Sequence, residues 1–311
     1  MITIIGCGFS GLCCGIRLLE AGEQVHIIAA EPPTKTTSVT AGAVWFPFVV
    51  QPMEQAMIWG SRGFEVLEQL SENPESGNFM DDFTIIDDPV DEAPWWAAAF
   101  PREGCYQRLS APLANPARFL ARVPLCNTPK YLEFLLSWFE RLGGSISYRY
   151  LNKLSEVGTT DWLINCAGLG ARELVGDDSL YPIRGQLVKL APCPDVYSIA
   201  DFRYDYTDND QLAYIFTRPD GVICGGTLEP RNESLEPRPE EVPRIIQDCA
   251  KLCPAVADLE IIDTYVGLRP ARPTVRLERE AGTKIIHNYG HGGSGYTISW
   301  GCAEEVARSV E

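Results

Sequence analysis

Residues 2–5 (ITII), apolar but for Thr3, have the pattern of a short strand buried on both faces, and residues 25–29 (VHIIA), apolar but for His26, repeat it. Between them Leu12, Ile16 and Leu19 recur at helical spacing, and Gly22 stops the helix. The chain thus opens as a β-α-β unit. Helical periodicity returns at 53–73 and at 129–142, where Tyr131, Leu132, Leu135, Leu136, Phe139 and Leu142 share one face ahead of Gly143 and Gly144. Residues 72–104 are rich in Asp, Pro, Asn and Trp and read as loops with short strands such as FTIID. DWLINC at 161–166 predicts another buried strand, ending at Ala167-Gly168. From 184 onward strands dominate (GQLVKL, LAYIFT, GVICGG), with the polar loop 198–211 among them. A helix at 240–252, the strand KIIHN and a closing helix at 298–310 complete the pattern.

The first turn carries more than secondary structure. Gly6-Cys7-Gly8-Phe9-Ser10-Gly11 follows a strand and opens a helix, and Glu31 stands just beyond the second strand. In that context GxGxxG predicts a dinucleotide site. Gly6 makes the tight turn, Gly8 lets backbone approach a pyrophosphate, and Gly11 permits close helix–strand packing. The helix N-terminus, with Phe9 and Ser10, then faces the phosphates. Glu31 is the acceptor for a ribose hydroxyl, with Ala30 at the alternative alignment. Gly168, ending a strand far along the chain, offers a second backbone approach to the same ligand.

Charge and cysteines narrow the class. A formal net charge of −16 over 311 residues repels phosphate backbones, which argues against nucleic-acid binding. The 11 cysteines include no CxxC pair. Cys249 and Cys253 have no further ligand at metal spacing, so no metal site is expected and reduced thiols are the default. No apolar run reaches the length of a membrane span, and no cationic leader or C-terminal address is recognisable, so the expected location is cytoplasmic.

The C-terminal third holds the densest chemistry. GLRPARPTVRLERE at 267–280 places Arg269 and Arg272 each ahead of a proline, and HNYGHGGSGYTISWG at 287–301 packs glycines around His291 and Tyr296. Glycines let backbone approach a flat ligand, and a fixed guanidinium holds a carboxylate through two parallel hydrogen bonds. An organic acid lying against a planar cofactor is the expected arrangement.

Taken together, IIGCGFSGL, TTSVTAGAVWFPF (36–48), INCAGLGA (164–171), PIRGQLVKL (182–190) and the two C-terminal stretches resemble the D-amino-acid oxidase family over nearly the whole chain. The resemblance implies an α/β protein: a Rossmann-type FAD-binding domain built from discontinuous segments (1–50, 127–181 and 274–311), and an α+β substrate domain with a large mixed or antiparallel sheet (51–126 and 182–273). It implies FAD as cofactor, with a D-amino acid and O2 as small-molecule partners and a homodimer left open. The α-hydrogen passes as hydride to the flavin, the imino acid hydrolyses to a 2-oxo acid and ammonia, and O2 becomes hydrogen peroxide. Arg269 is the expected carboxylate ligand, assisted by Tyr214, and the Gly293 carbonyl would accept from the substrate amine. Thr37, Ser38, Gly42 and Ala43, and Gly292, Gly293, Ser294, Gly295, Tyr296 and Thr297, are expected around the cofactor. No protein base is demanded, so His291 is expected to be structural or to contact the flavin; Arg272 and Arg276 are expected to be structural.

This chain also departs from the family. Many members place a second tyrosine on a lid four residues before Tyr214; here that position is Asp210, so either Tyr204 or Tyr206 fills the space from an altered loop or the lid is absent. Aspartate-specific relatives carry an arginine after their GGT signature, where this chain has Leu228. With Phe46 and Phe48 as further wall residues, neutral or apolar D-amino acids are expected over acidic ones, Arg218 being the residue that would reverse this if it reached the pocket. An acidic D-amino-acid oxidase, a glycine oxidase and a flavin-binding protein without turnover are the alternatives.

Overall fold

In the computed structural model, which describes residues 1–48, 50–203 and 212–310, a single sheet of fourteen strands organises the chain. In chain order the strands are β1 (Ile2–Ile5), β2 (Val25–Ala29), β3 (Asn78–Asp87), β4 (Tyr106–Arg108), β5 (Ala117–Cys126), β6 (Ser145–Tyr148), β7 (Trp162–Asn165), β8 (Tyr181–Leu190), β9 (Ser198–Asp201), β10 (Ala213–Arg218), β11 (Gly221–Gly225), β12 (Glu229–Pro230), β13 (Ile261–Arg279) and β14 (Ile285–His291). The helices are α1 (Phe9–Glu20), α2 (Met53–Ser71), α3 (Thr128–Arg141), α4 (Ala171–Val175), α5 (Glu241–Leu252) and α6 (Gly295–Val310). Tyr204, Tyr206 and Asp210 lie outside the described residues.

One end of the sheet, β14-β7-β1-β2-β6, is wholly parallel. All of its strands but the edge strand β6 are mostly buried, which is why ITII and VHIIA are apolar apart from Thr3 and His26. The other end runs β4-β5-β3-β9-β10-β11-β8-β13 and is antiparallel except where β3 meets β9. β13 joins the two, pairing first with β8 and then, after a register shift between Ala271 and Arg276, with β14. Pro273 falls inside that shift, where a residue without an N–H is tolerated.

Side-chain alternation sorts the two faces. Ile2, Ile4, Ile27 and Ile164, together with Leu187, Tyr214 and Phe216, belong to the main core, which α1, α3 and α6 cover. Their neighbours Ile5, Ile28 and Leu163 enter a separate cluster, and Val188, Ile215 and Cys224 pack against α5 on the opposite face. Tyr214 therefore faces the same side of the sheet as the β1–α1 turn. Among the described residues no helix is long and apolar enough to cross a membrane.

Three expectations change. The 72–104 region holds a ten-residue strand, β3, rather than short ones: Phe83, Ile85 and Ile86 are buried, Asp82 faces out, and the polar ends Asn78 and Asp87 are buried too. β5, in which Ala117, Phe119, Ala121 and Val123 alternate with outward positions, and the 19-residue β13 are not among the expected strands; only three positions of β13 are buried, so its alternation is weak. The closing helix starts at Gly295, so the glycine stretch itself forms the helix entry.

Candidate active site

The β1–α1 turn builds one end of a cavity of about 450 Å³. Gly8 caps α1 with extended backbone and without any side-chain cap, so first-turn amides open into the cavity. One of them, Phe9 N–H, donates to Ser38 Oγ at 3.1 Å. Gly6 has φ +98°, and a β-carbon there would stand 2.4 Å from the Cys166 carbonyl oxygen. A β-carbon on Gly11 would stand 1.9 Å from the Gly6 carbonyl oxygen. Gly11 thus shapes the turn without lining the cavity. Phe9, Ser10, Glu31, Thr37, Ser38, Gly42, Ala43 and Gly168 all line it. Glu31 is exposed, with Lys35 Nζ at 3.8 Å.

The glycine stretch after β14 forms the wall. Gly292 adopts φ +54°, and Gly292, Gly293, Gly295 and Tyr296 line the cavity. Ser294 and Thr297 turn away from it and fasten the 46–48 segment. Ser294 Oγ donates to the Phe48 carbonyl at 2.8 Å and accepts from Phe48 N–H at 2.7 Å. Thr297 Oγ1 does the same with Phe46, at 2.9 and 3.1 Å. Gly293 sits under Phe48, whose Cδ1 would be 2.6 Å from a β-carbon. His291 is buried, and desolvation pushes its pKa down to about 4. It is therefore neutral near pH 7.

At the sheet end Arg269 of β13 and Tyr214 of β10 line the same cavity, although β8 and β11 separate their strands. Three strand spacings put their backbones about 14 Å apart. Two glycines let the side chains converge. A β-carbon on Gly185 of β8 would lie 2.2 Å from Arg269 Nη1, and one on Gly225 of β11 would lie 2.0 Å from Tyr214 Cζ. Burial raises the Tyr214 pKa, while the charge and hydrogen bond of Arg269 oppose the rise. The phenol is thus a neutral donor beside a cation.

The other arginines are held elsewhere. Arg272 Nε lies 2.9 Å from Asp177, and Arg276 Nη1 donates to the Tyr289 hydroxyl at 2.7 Å. Arg218 is forked onto Asp220 at 3.0 and 2.9 Å, and it does not line the cavity. Leu228 lies behind the wall, in a cluster with Ile183, Ala271 and Phe48. Phe46, Phe48, Leu187, Phe202 and Phe216 complete the apolar lining. Phe202 carries no local sequence signal, and the two sheet glycines, although they lie in PIRGQLVKL and in Gly225-Gly226-Thr227, carry none for the clearance they give Arg269 and Tyr214. Among the described residues no cluster of His, Cys, Asp or Glu is arranged to hold a metal.

The residues fit FAD. A cradle that β-carbons would fill, an open helix N-terminus and a carboxylate beyond β2 form one end of a cleft that continues to the glycine wall.

Comparison with known proteins agrees. A family model for FAD dependent oxidoreductases matches residues 1–309. D-Amino-acid oxidase of Rubrobacter xylanophilus is 38% identical over 312 residues, covering 98% of this chain and 94% of that protein. D-Amino-acid oxidase of Streptomyces coelicolor is 37% identical, covering 99% and 95%. Among solved structures, glycine oxidase from Bacillus cereus shares the fold with a TM-score of 0.77 at 18% identity, covering 99% and 94%. At this extent of match the chain belongs to the D-amino-acid oxidase family and is an FAD-dependent oxidoreductase.

Proposed function

We propose that this enzyme deaminates neutral and apolar D-amino acids, with Arg269 holding the substrate carboxylate, Tyr214 assisting it and the Gly293 carbonyl orienting the amine. FAD, held by the β1–α1 turn and the glycine stretch after β14, would supply the hydride acceptor for the α-hydrogen and the route of its electrons to O2, with hydrogen peroxide as the product. The chain supplies geometry and solvent exclusion. The Arg269 fork matches a carboxylate in two bonds, and Tyr214, kept protonated by burial, donates a third. His291 is neutral and buried, so it brings no charge to the reacting amine. The amine must arrive unprotonated, after which loss of hydride leaves an imino acid that hydrolyses in water. On this reading segments 1–50, 127–181 and 274–311 hold the cofactor and 51–126 and 182–273 hold the substrate.

One observation carries the preference for uncharged side chains. Lys35 and Arg269 are the only Lys or Arg residues lining the cavity among the described residues, and Lys35 stands at the Glu31 end. The undescribed stretch 204–211 (YDYTDNDQ) contains no Lys, Arg or His either. A second substrate carboxylate would be desolvated without a partner, which costs several kcal/mol. The test is a panel of D- and L-amino acids on the FAD-loaded protein, read by anaerobic bleaching and by peroxide. D-Alanine, D-valine and D-phenylalanine should be oxidised and their L-forms should not. Faster turnover of D-aspartate or D-glutamate overturns the preference, and failure of every amino acid to bleach the flavin overturns the oxidase.

A further inference from the structure

We infer that Phe202 sets the side-chain preference of the enzyme, giving aromatic D-amino acids a flat apolar surface that small aliphatic ones cannot use. The inference rests on the proposed amino-acid site. It adds a residue that no motif marks and narrows the substrate class.

Phe202 follows β9, and its backbone is fixed on both sides. Its N–H donates to the Ile86 carbonyl at 2.8 Å. The buried carboxylate of Asp201 accepts from Arg203 N, Nε and Nη2 at 3.1, 2.9 and 2.6 Å, closing a hook with Phe202 at its tip. The ring lies flat on Phe46, with centroids 4.4 Å apart and planes 4° apart. Phe83 stands edge-on at 6.4 Å, and Phe48 is tilted at 6.0 Å. Both rings line the cavity that Arg269 and Tyr214 share, Phe46 buried and Phe202 half-buried. The pair is therefore a two-ring stack in the cavity wall, with Phe202 its more exposed ring.

A rigid aromatic surface discriminates by shape. An aryl side chain meets it in an offset or edge-on arrangement and gains roughly three- to tenfold in binding beyond the area it buries. A methyl side chain covers little of the ring. Leu187, Leu212 and Phe216 line the same cavity, and among the described residues its charged lining is Glu31, Lys35 and Arg269.

The experiment compares kcat/KM for D-phenylalanine and D-alanine in the FAD-loaded wild type, Phe202→Leu and Phe202→Tyr. Wild type should favour D-phenylalanine. The leucine variant should lower the D-phenylalanine to D-alanine ratio by about five- to tenfold, mainly through KM, and the tyrosine variant should keep it. Binding gives a second readout without turnover: phenylacetate should perturb the flavin spectrum at lower concentration than propionate, and Phe202→Leu should narrow that gap. If the leucine variant does not fold, Phe202→Met takes its place. A wild type that prefers D-alanine, or a ratio that moves less than about twofold in the variants, overturns the inference and leaves the oxidase reading standing. If neither D-amino acid bleaches the flavin, the oxidase reading fails and the inference fails with it.

Discussion

Gly185 lies against the guanidinium of Arg269, so close that a β-carbon there would stand 2.2 Å from Nη1 and 2.7 Å from Cζ. The glycine is two strand residues from Ile183, which pairs with Arg269 across the β8–β13 ladder. Arginine reach and glycine clearance are thus one device written on two strands. Gly185→Ala forces the guanidinium aside by about 1 Å. A misplacement of that size costs about 100-fold in kcat/KM, and most of it should appear as a raised KM. Steady-state kinetics with D-alanine measure this, while the flavin-to-protein absorbance ratio should stay near that of the wild type. A loss below threefold would show that Arg269 is not the carboxylate ligand or that the strand yields.

Arg269 and Tyr214 should differ in weight. Replacing the guanidinium fork by a point charge in Arg269→Lys loses paired geometry as well as one charge-assisted bond, for a loss of roughly 30- to 100-fold in kcat/KM. Tyr214→Phe removes one neutral donor and should cost only about five- to tenfold. Kinetics of both variants on one substrate check the order. A larger loss in Tyr214→Phe than in Arg269→Lys would reverse the proposed roles.

The paired hydroxyls of Ser294 and Thr297 tie α6 and its glycine entry to the 46–48 segment. Neither side chain reaches the cavity, so their effect on FAD should be indirect. Ser294→Ala leaves the Phe48 N–H and carbonyl to other partners and should cost about 2 kcal/mol of stability. Thermal unfolding of the FAD-free and FAD-loaded proteins checks this. The melting temperature should fall in both states, and FAD affinity should weaken because the loosened segment includes Phe48, which lies over Gly293.

What was legible in the sequence was local. The β1–α1 turn needs only a strand, three glycines and a helix start, all within twelve residues of the N-terminus. Arg269, Tyr214 and Gly293 came from a family resemblance, and they line one cavity. What was not legible depends on register. Gly185 and Gly225 look like ordinary strand-end glycines until the β10-β11-β8-β13 order brings them under Tyr214 and Arg269. Phe202 sits in a polar loop pattern, and only the β9–β3 pairing brings it onto Phe46. Ser294 and Thr297 were expected at the cofactor because they lie in the glycine stretch, but helical geometry from Gly295 turns Thr297 towards Phe46.

His291 makes a pH-dependent contribution that catalysis does not require. Asn288 Nδ2 donates to Cys14 Sγ at 3.1 Å, which leaves Oδ1 to accept from His291 Nε2 at 2.9 Å. The ring is thus held as the neutral Nε2–H tautomer. Desolvation lowers its folded pKa to about 4, against an unfolded value of about 6.5. The unfolded chain therefore binds the extra proton first as pH falls. The contribution is fully present above pH 6.5 and is lost as pH falls through 4, for roughly 3 kcal/mol in total. His287 is shifted the same way by burial and by Arg276, whereas Asp177, held down at about 2 despite its burial by Ser179, Tyr289 and Arg272, acts at lower pH. Comparison of wild type with His291→Gln separates these. The slope of melting temperature between pH 7 and pH 5 should be shallower in the variant, which has no imidazole to protonate. Equal slopes would mean that His291 is solvated or charged in the folded protein.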